Sequence, residues 1–84
     1  MPITVYDTRI NRFVALTSEE ANGVSICKEL MLQAQTFAYD GKNVDSFFAL
    51  AKVEREKFEE GSAGWNICEN TIQYAADTVM LLKV

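Results

Sequence analysis

The side chains able to do chemistry in this chain are carboxylates, lysines, arginines, tyrosines and two cysteines; histidine is absent. Without histidine the usual general base near neutral pH is missing, as are Ser-His and Cys-His nucleophile pairs and most zinc sites. A carboxylate pair can serve as acid and base only if one member is desolvated in a cleft. Glu54, Glu56, Glu59 and Glu60 instead fall in the stretch Lys52 to Glu60, which is charged nearly all round a helix and predicts a segment projecting into solvent. Asp40-Gly41-Lys42-Asn43-Val44-Asp45 opens like a calcium loop but places Ala51 where that loop needs its bidentate glutamate. Gly61-Ser62-Ala63-Gly64 precedes a helix, as a phosphate-cradling loop does. It has no strand before it and no Gly-Lys-Ser/Thr ending, so it reads as a linker, with Ser62 able to cap the helix that follows. Tyr6, Tyr39 and Tyr74 are not interleaved with basic residues as a platform for stacking bases. The expectation is therefore a protein without catalytic residues, cofactor or metal ligands, and not an enzyme.

Cys27 and Cys68 both fall on apolar stripes of predicted helices, where a reduced cysteine behaves as a small hydrophobe. Eight basic against twelve acidic residues leave a net charge of −4, which disfavours direct binding to nucleic acid and suits either a basic partner or simple solubility. The first residues have neither a basic nor an apolar leader pattern, and no apolar run approaches the ~18 residues of a membrane span. A cytoplasmic protein without membrane contact is expected.

The elements that would position these side chains follow from periodicity. Ile3 to Tyr6 and Arg12 to Leu16 are β-branched and aromatic and flank a polar stretch, predicting a β-hairpin with Ile3, Val5, Phe13 and Ala15 on its core face. Thr17 and Glu20 have capping-box spacing at the start of a helix running to about Tyr39, with Asn22-Gly23 weakening its first turn. Val24, Ile26, Cys27, Leu30, Met31, Ala34, Phe37 and Ala38 take one half of its wheel, and Leu32 and Tyr39 stand together on the other. Gly41 ends that helix, and Asn43 caps a second, from Val44 to about Glu60, whose core face is Val44, Phe47, Phe48, Ala51 and Phe58. Lys52/Glu56 and Arg55/Glu59 have the spacing of i,i+4 ion pairs.

The last third is the centre of the prediction. Trp65, Cys68, Ile72, Ala75, Val79 and Leu82 alternate spacings of three and four, and Ile67, Tyr74 and Leu81 make a second apolar stripe beside them. Asn66, Asn70, Gln73 and Asp77 are confined to an arc of roughly 60°. A helix with so narrow a wet face predicts burial nearly all round, although residues 78–84 also fit a strand paired with Ile3 to Tyr6. The fold class is α+β and mostly helical. A short N-terminal hairpin and three antiparallel helices form a single small domain over residues 1–84, with the C-terminal helix central.

Two functional expectations follow, both of a surface that binds another protein. In the first, Glu54, Glu56, Glu59, Glu60, Glu69 and Asp77 form an acidic ridge that occupies a basic groove of a nucleic-acid-handling protein. Size, charge and lack of chemistry resemble those of small phage-encoded antagonists and immunity proteins, a likeness of type without a shared motif. In the second, an apolar face made of Leu32, Tyr39, Trp65, Tyr74 and Met80 joins copies of the chain into a homodimer, as a self-associating structural or adaptor subunit.

Overall fold

The computed structural model describes residues 4–82. Strand β1 (Thr4–Asp7) pairs antiparallel with β2 (Arg12–Ala15), and helices α1 (Ser18–Tyr39), α2 (Asp45–Glu56) and α3 (Ala63–Leu82) follow. The α+β, mostly helical architecture is the one the periodicity predicts, and residues 78–82 are helix rather than strand.

The ends of α1 form as their residues dictate. The amide of Glu20 donates to Thr17 Oγ1 at 3.1 Å and the amide of Thr17 donates to Glu20 Oε1 at 3.0 Å. These two bonds satisfy orphan donors of the first turn, so the helix begins at Ser18 and runs unbroken through Asn22-Gly23. At the other end Gly41 takes φ +77°, and the amides of Gly41 and Lys42 donate back to Ala38 and Phe37. Only a residue without Cβ takes that turn cheaply.

Three sequence expectations are corrected. On the hairpin, Val5 lies opposite Val14 and Tyr6 opposite Phe13, so Val5 and Val14 face inward while Phe13 and Ala15 are exposed. Register decides this, because a one-residue offset between strands moves every side chain to the other face. Phe13 meets Tyr6 edge to face on the outer side, ring centroids 5.3 Å apart; Ile3 lies outside the described residues. Second, Ile26, placed with the core half of α1, is exposed.

Third, α2 stops at Glu56 and does not project past the core. The amides of Lys57 and Phe58 bond back three residues, to Glu54 and Arg55, and the chain turns inward. The Phe58 ring lies between two glycines: a Cβ at Gly23 would sit 2.8 Å from it and one at Gly64 2.6 Å. Burying the ring between α1 and α3 wins over prolonging a solvated charged helix, because the ring has apolar surface to remove from water and the extension does not. The i,i+4 pairs predicted on the extension do not form, and the same side chains find partners elsewhere.

The core is Val24, Cys27, Met31 and Ala34 of α1, Val44 and Ala51 of the α2 region, and Cys68, Ile72, Ala75 and Val79 of α3. Helix α3 packs against every other element, which makes it central as predicted. It is not covered all round: the hairpin lies over its first half as far as Asn70, whereas Tyr74, Met80, Leu81 and Leu82 in the second half are exposed. No helix among the described residues is long and apolar enough to cross a membrane.

Candidate functional site

The six carboxylates expected to form an acidic ridge are distributed in three ways. Glu69 and Glu56 both bind Arg55, at 2.7 and 2.6 Å, and the Arg55 guanidinium also lies 5.4 Å from the centre of the Trp65 ring. The Arg55 side chain is only 17% exposed. The Glu56 hydrogen bond, followed by the negative charges of Glu69 and Glu56, raises its pKa further, so it stays charged. Glu54 binds Lys57 at 2.9 Å and Glu59 binds Arg9 at 2.7 Å. Glu60 and Asp77 are exposed, and no ion pair is made to them among the described residues.

Glu54 and Glu59 meet Glu19 and Glu20 of the first turn of α1 around a cleft of about 470 Å³ lined also by Gly23 and Phe58. Arg9 and Lys57 sit on the same rim, so the cleft mixes signs. Asp77, a turn beyond Tyr74 on α3, lies outside this cluster.

Behind the cleft the hairpin turn is tied to the α2–α3 turn. Asp7 is 2% exposed and is held by Arg9 in a two-pronged contact: Arg9 Nη2 donates to Oδ2 at 2.6 Å, and Arg9 Nε and its backbone amide donate to Oδ1. That guanidinium lowers the Asp7 pKa below the ordinary 3.8 despite burial, which acts the other way. Thr8 donates through its amide and its hydroxyl to the Gly61 carbonyl, at 2.8 and 3.0 Å. Asn66 Nδ2 donates to the carbonyls of Tyr6 and Gly61. Ser62 Oγ accepts from the amide of Trp65, the helix cap predicted for it. Among the described residues no buried side-chain oxygen or nitrogen lacks a partner. Every strong polar group here is engaged by the fold itself.

Cys27 and Cys68 are free and fully buried between α1 and α3, with Cys27 Sγ 4.0 Å from the Cys68 carbonyl. The contact with Cys27, then burial, pushes the Cys68 thiol up, so it stays protonated and unreactive. Among the described residues no group of three or more His, Cys, Asp and Glu is placed to hold a metal.

The expected apolar face is assembled in part. Leu32 and Tyr39 of α1 and Tyr74 of α3 are 65%, 79% and 71% exposed and line two adjoining depressions along the seam between these helices. Met31 floors one depression and Leu82 borders the other, and Gln35 lies in both. Trp65 does not join them, being half-buried beneath Arg55. Met80 is exposed on another side of α3, about 120° round the axis from Tyr74. Thr78 belongs to the seam without any signal in the sequence, whereas Gln35 shares the Leu32–Tyr39 face of α1. The signal for Gln35 was present: Lys28, Leu32, Gln35 and Tyr39 fall within roughly 60° of the α1 wheel. That Tyr74 and Thr78 come alongside depends on how α3 lies on α1. No family model, no curated protein and no solved structure matches the chain.

Proposed function

We propose that the chain is a protein-interaction module, not an enzyme, and that its contact surface is the α1–α3 seam. The observation that carries this reading is the adjacency of Leu32, Tyr39 and Tyr74, three large apolar side chains exposed on one side of two packed helices. Contiguous exposed apolar surface marks a contact site more often than scattered single residues do. Magnitudes favour it over the acidic ridge. Covering a Leu or aromatic side chain is worth about 1.5–3 kcal/mol, whereas an exposed ion pair contributes about 0–1 kcal/mol. Moreover, Glu54, Glu56, Glu59 and Glu69 already have cationic partners inside the chain. A basic groove on another protein would have to displace those cations to engage the carboxylates. Occupation of a basic groove of a nucleic-acid-handling protein therefore has less support and rests on the net charge of −4 and on Glu60 and Asp77. The two free, buried cysteines suit a reducing compartment, and a cytoplasmic location is part of the proposal.

A photo-crosslinking residue at Gln35, compared with one at the exposed Lys52 of α2, tests the surface in extracts of expressing cells. Protein adducts are expected at position 35, and Leu32→Asp should abolish them. Equal labelling at both positions would overturn the reading.

A further inference from the structure

We propose that the α1–α3 seam is closed by a second copy of this chain in a two-fold symmetric dimer. The inference rests on the reading of the seam as the contact surface and adds its occupant. Along α1 the seam starts at Lys28 and ends at Asp40, with Leu32 and Tyr39 between them. The two charges are about 18 Å apart by helical rise. The next cation, Lys42, is turned onto the Phe37 ring, 5.0 Å from its centre, where Phe37 stacks on Phe47 of α2. One end of the strip is thus positive, the other negative and the middle apolar.

A strip with this order complements itself when inverted. A two-fold axis near Gln35 sets Leu32 of one copy against Tyr39 of the other, brings the Tyr74 rings over the same apolar centre, and places each Lys28 end at its partner's Asp40 end. In a two-fold interface every such contact occurs twice. A standard interface takes about 800 Å² from each partner. That is roughly one seventh of the 5646 Å² surface of this chain, and a face of 40 by 24 Å accommodates it. An acidic partner would meet Asp40 and a basic one Lys28 without compensation, so the charge order selects a copy of the same strip over a partner of one sign.

Sedimentation velocity on the purified full-length chain, from about 1 µM to about 1 mM, reads the association directly. A monomer–dimer equilibrium is expected, and Leu32→Asp or Tyr39→Asp should weaken it at least roughly 100-fold, since each change removes two apolar contacts. Circular dichroism of these variants should match the parent, both positions being exposed. Lys28→Asp alone and Asp40→Lys alone should each weaken the dimer roughly threefold to tenfold, and the two together should restore it. A dimer indifferent to Leu32, Tyr39 and the charge exchange would overturn the proposal, as would a monomer throughout the range. A monomer whose Gln35 position still crosslinks to a different protein would overturn the second copy as occupant and leave the seam as contact surface. A monomer without such adducts would remove both.

Discussion

Around Ser62, at the start of α3, the Phe58 ring lies between Gly23 of α1 and Gly64 of α3, the hairpin turn is bonded to Gly61, and Arg9 and Lys57 on the rim pair with Glu59 and Glu54. Around Tyr74, half a helix further on, the depressions are lined by the α1 and α3 segments among the described residues, and Leu32, Tyr39 and Tyr74 are exposed. In both regions an aromatic ring lies against the same pair of helices; they differ in how many elements reach it. At the first, chain connectivity supplies a hairpin turn and an inter-helix turn to cover α3. At the second, no other element among the described residues lines the seam. Polar groups saturate each other through single side-chain contacts such as Arg9–Glu59 and Arg55–Glu69, whereas an apolar surface of this length needs another helix or sheet laid on it. The acidic end is therefore a finished piece of fold, and the seam is where binding free energy is still to be gained.

The sharpest way to break this contrast is to open the finished end. Phe58→Ala should cost about 2–3 kcal/mol, somewhat under the figure for a fully buried ring because Phe58 is half-buried. That corresponds to a fall of roughly 10 °C or more in the thermal midpoint. Gly64→Ala should also destabilise, by about 1 kcal/mol net, since the gain in helix propensity is smaller than the displacement of a ring 2.6 Å from the new Cβ. If both variants melt with the parent, the ring is not what holds the three elements together.

Acid should loosen the same end. The Arg9 contact lowers the pKa of Asp7 when folded, so the stability it contributes is complete above the ordinary value of 3.8 and is lost as pH falls through the folded value. Denaturant midpoints measured from neutral pH downward should decline in that window. Asp7→Asn should lower the neutral plateau and flatten the acid limb. A variant with an acid limb as steep as the parent's would assign the loss to other carboxylates.

The smallest effect sharpens the comparison from the other side. Leu32→Gln and Tyr39→Gln should change the unfolding free energy by no more than about 0.5 kcal/mol at concentrations where the chain is monomeric, since exposed side chains add little to the fold. Destabilisation on the scale of Phe58→Ala would mean that these residues belong to the core after all. Measured this way, a residue's contribution to folding and its availability for binding should run in opposite directions between the Phe58 end and the α1–α3 seam.

Local signals were legible where a few neighbouring residues decide the outcome. Thr17 and Glu20 close the capping box their spacing predicts, Gly41 takes the left-handed turn, Ser62 caps α3, and the three-four spacing from Trp65 to Leu82 is a helix throughout. The core stripe Cys68, Ile72, Ala75 and Val79 was likewise readable from spacing alone. Beyond that range the reading failed for identifiable reasons. Phe13 was placed inward because alternation gives the period of a strand but not its offset from the partner strand. The stretch Lys52 to Glu60 was drawn as a solvated helix because its charges are counted locally, while the partners that fold them back, Arg9, Glu69 and the Gly23–Gly64 slot, lie elsewhere in the chain. Spacing places Trp65 on an apolar stripe, and only the folded chain brings Arg55 over its ring.

By itself the sequence determined the number and kind of elements, the capping box and the glycine stop of α1, and the core stripe of α3, because helix and turn preferences act over three or four residues. It also determined that Leu32 and Tyr39 share a face of α1. Only the tertiary structure decided that Glu54, Glu56, Glu59 and Glu69 are taken up in ion pairs, that Phe58 is the pivot of the closed end, and that Tyr74 joins Leu32 and Tyr39 while Met80 and Trp65 do not. These outcomes depend on the angle and register at which helices cross, set by side chains such as Gly23, Phe58 and Gly64 that meet only once the chain has folded.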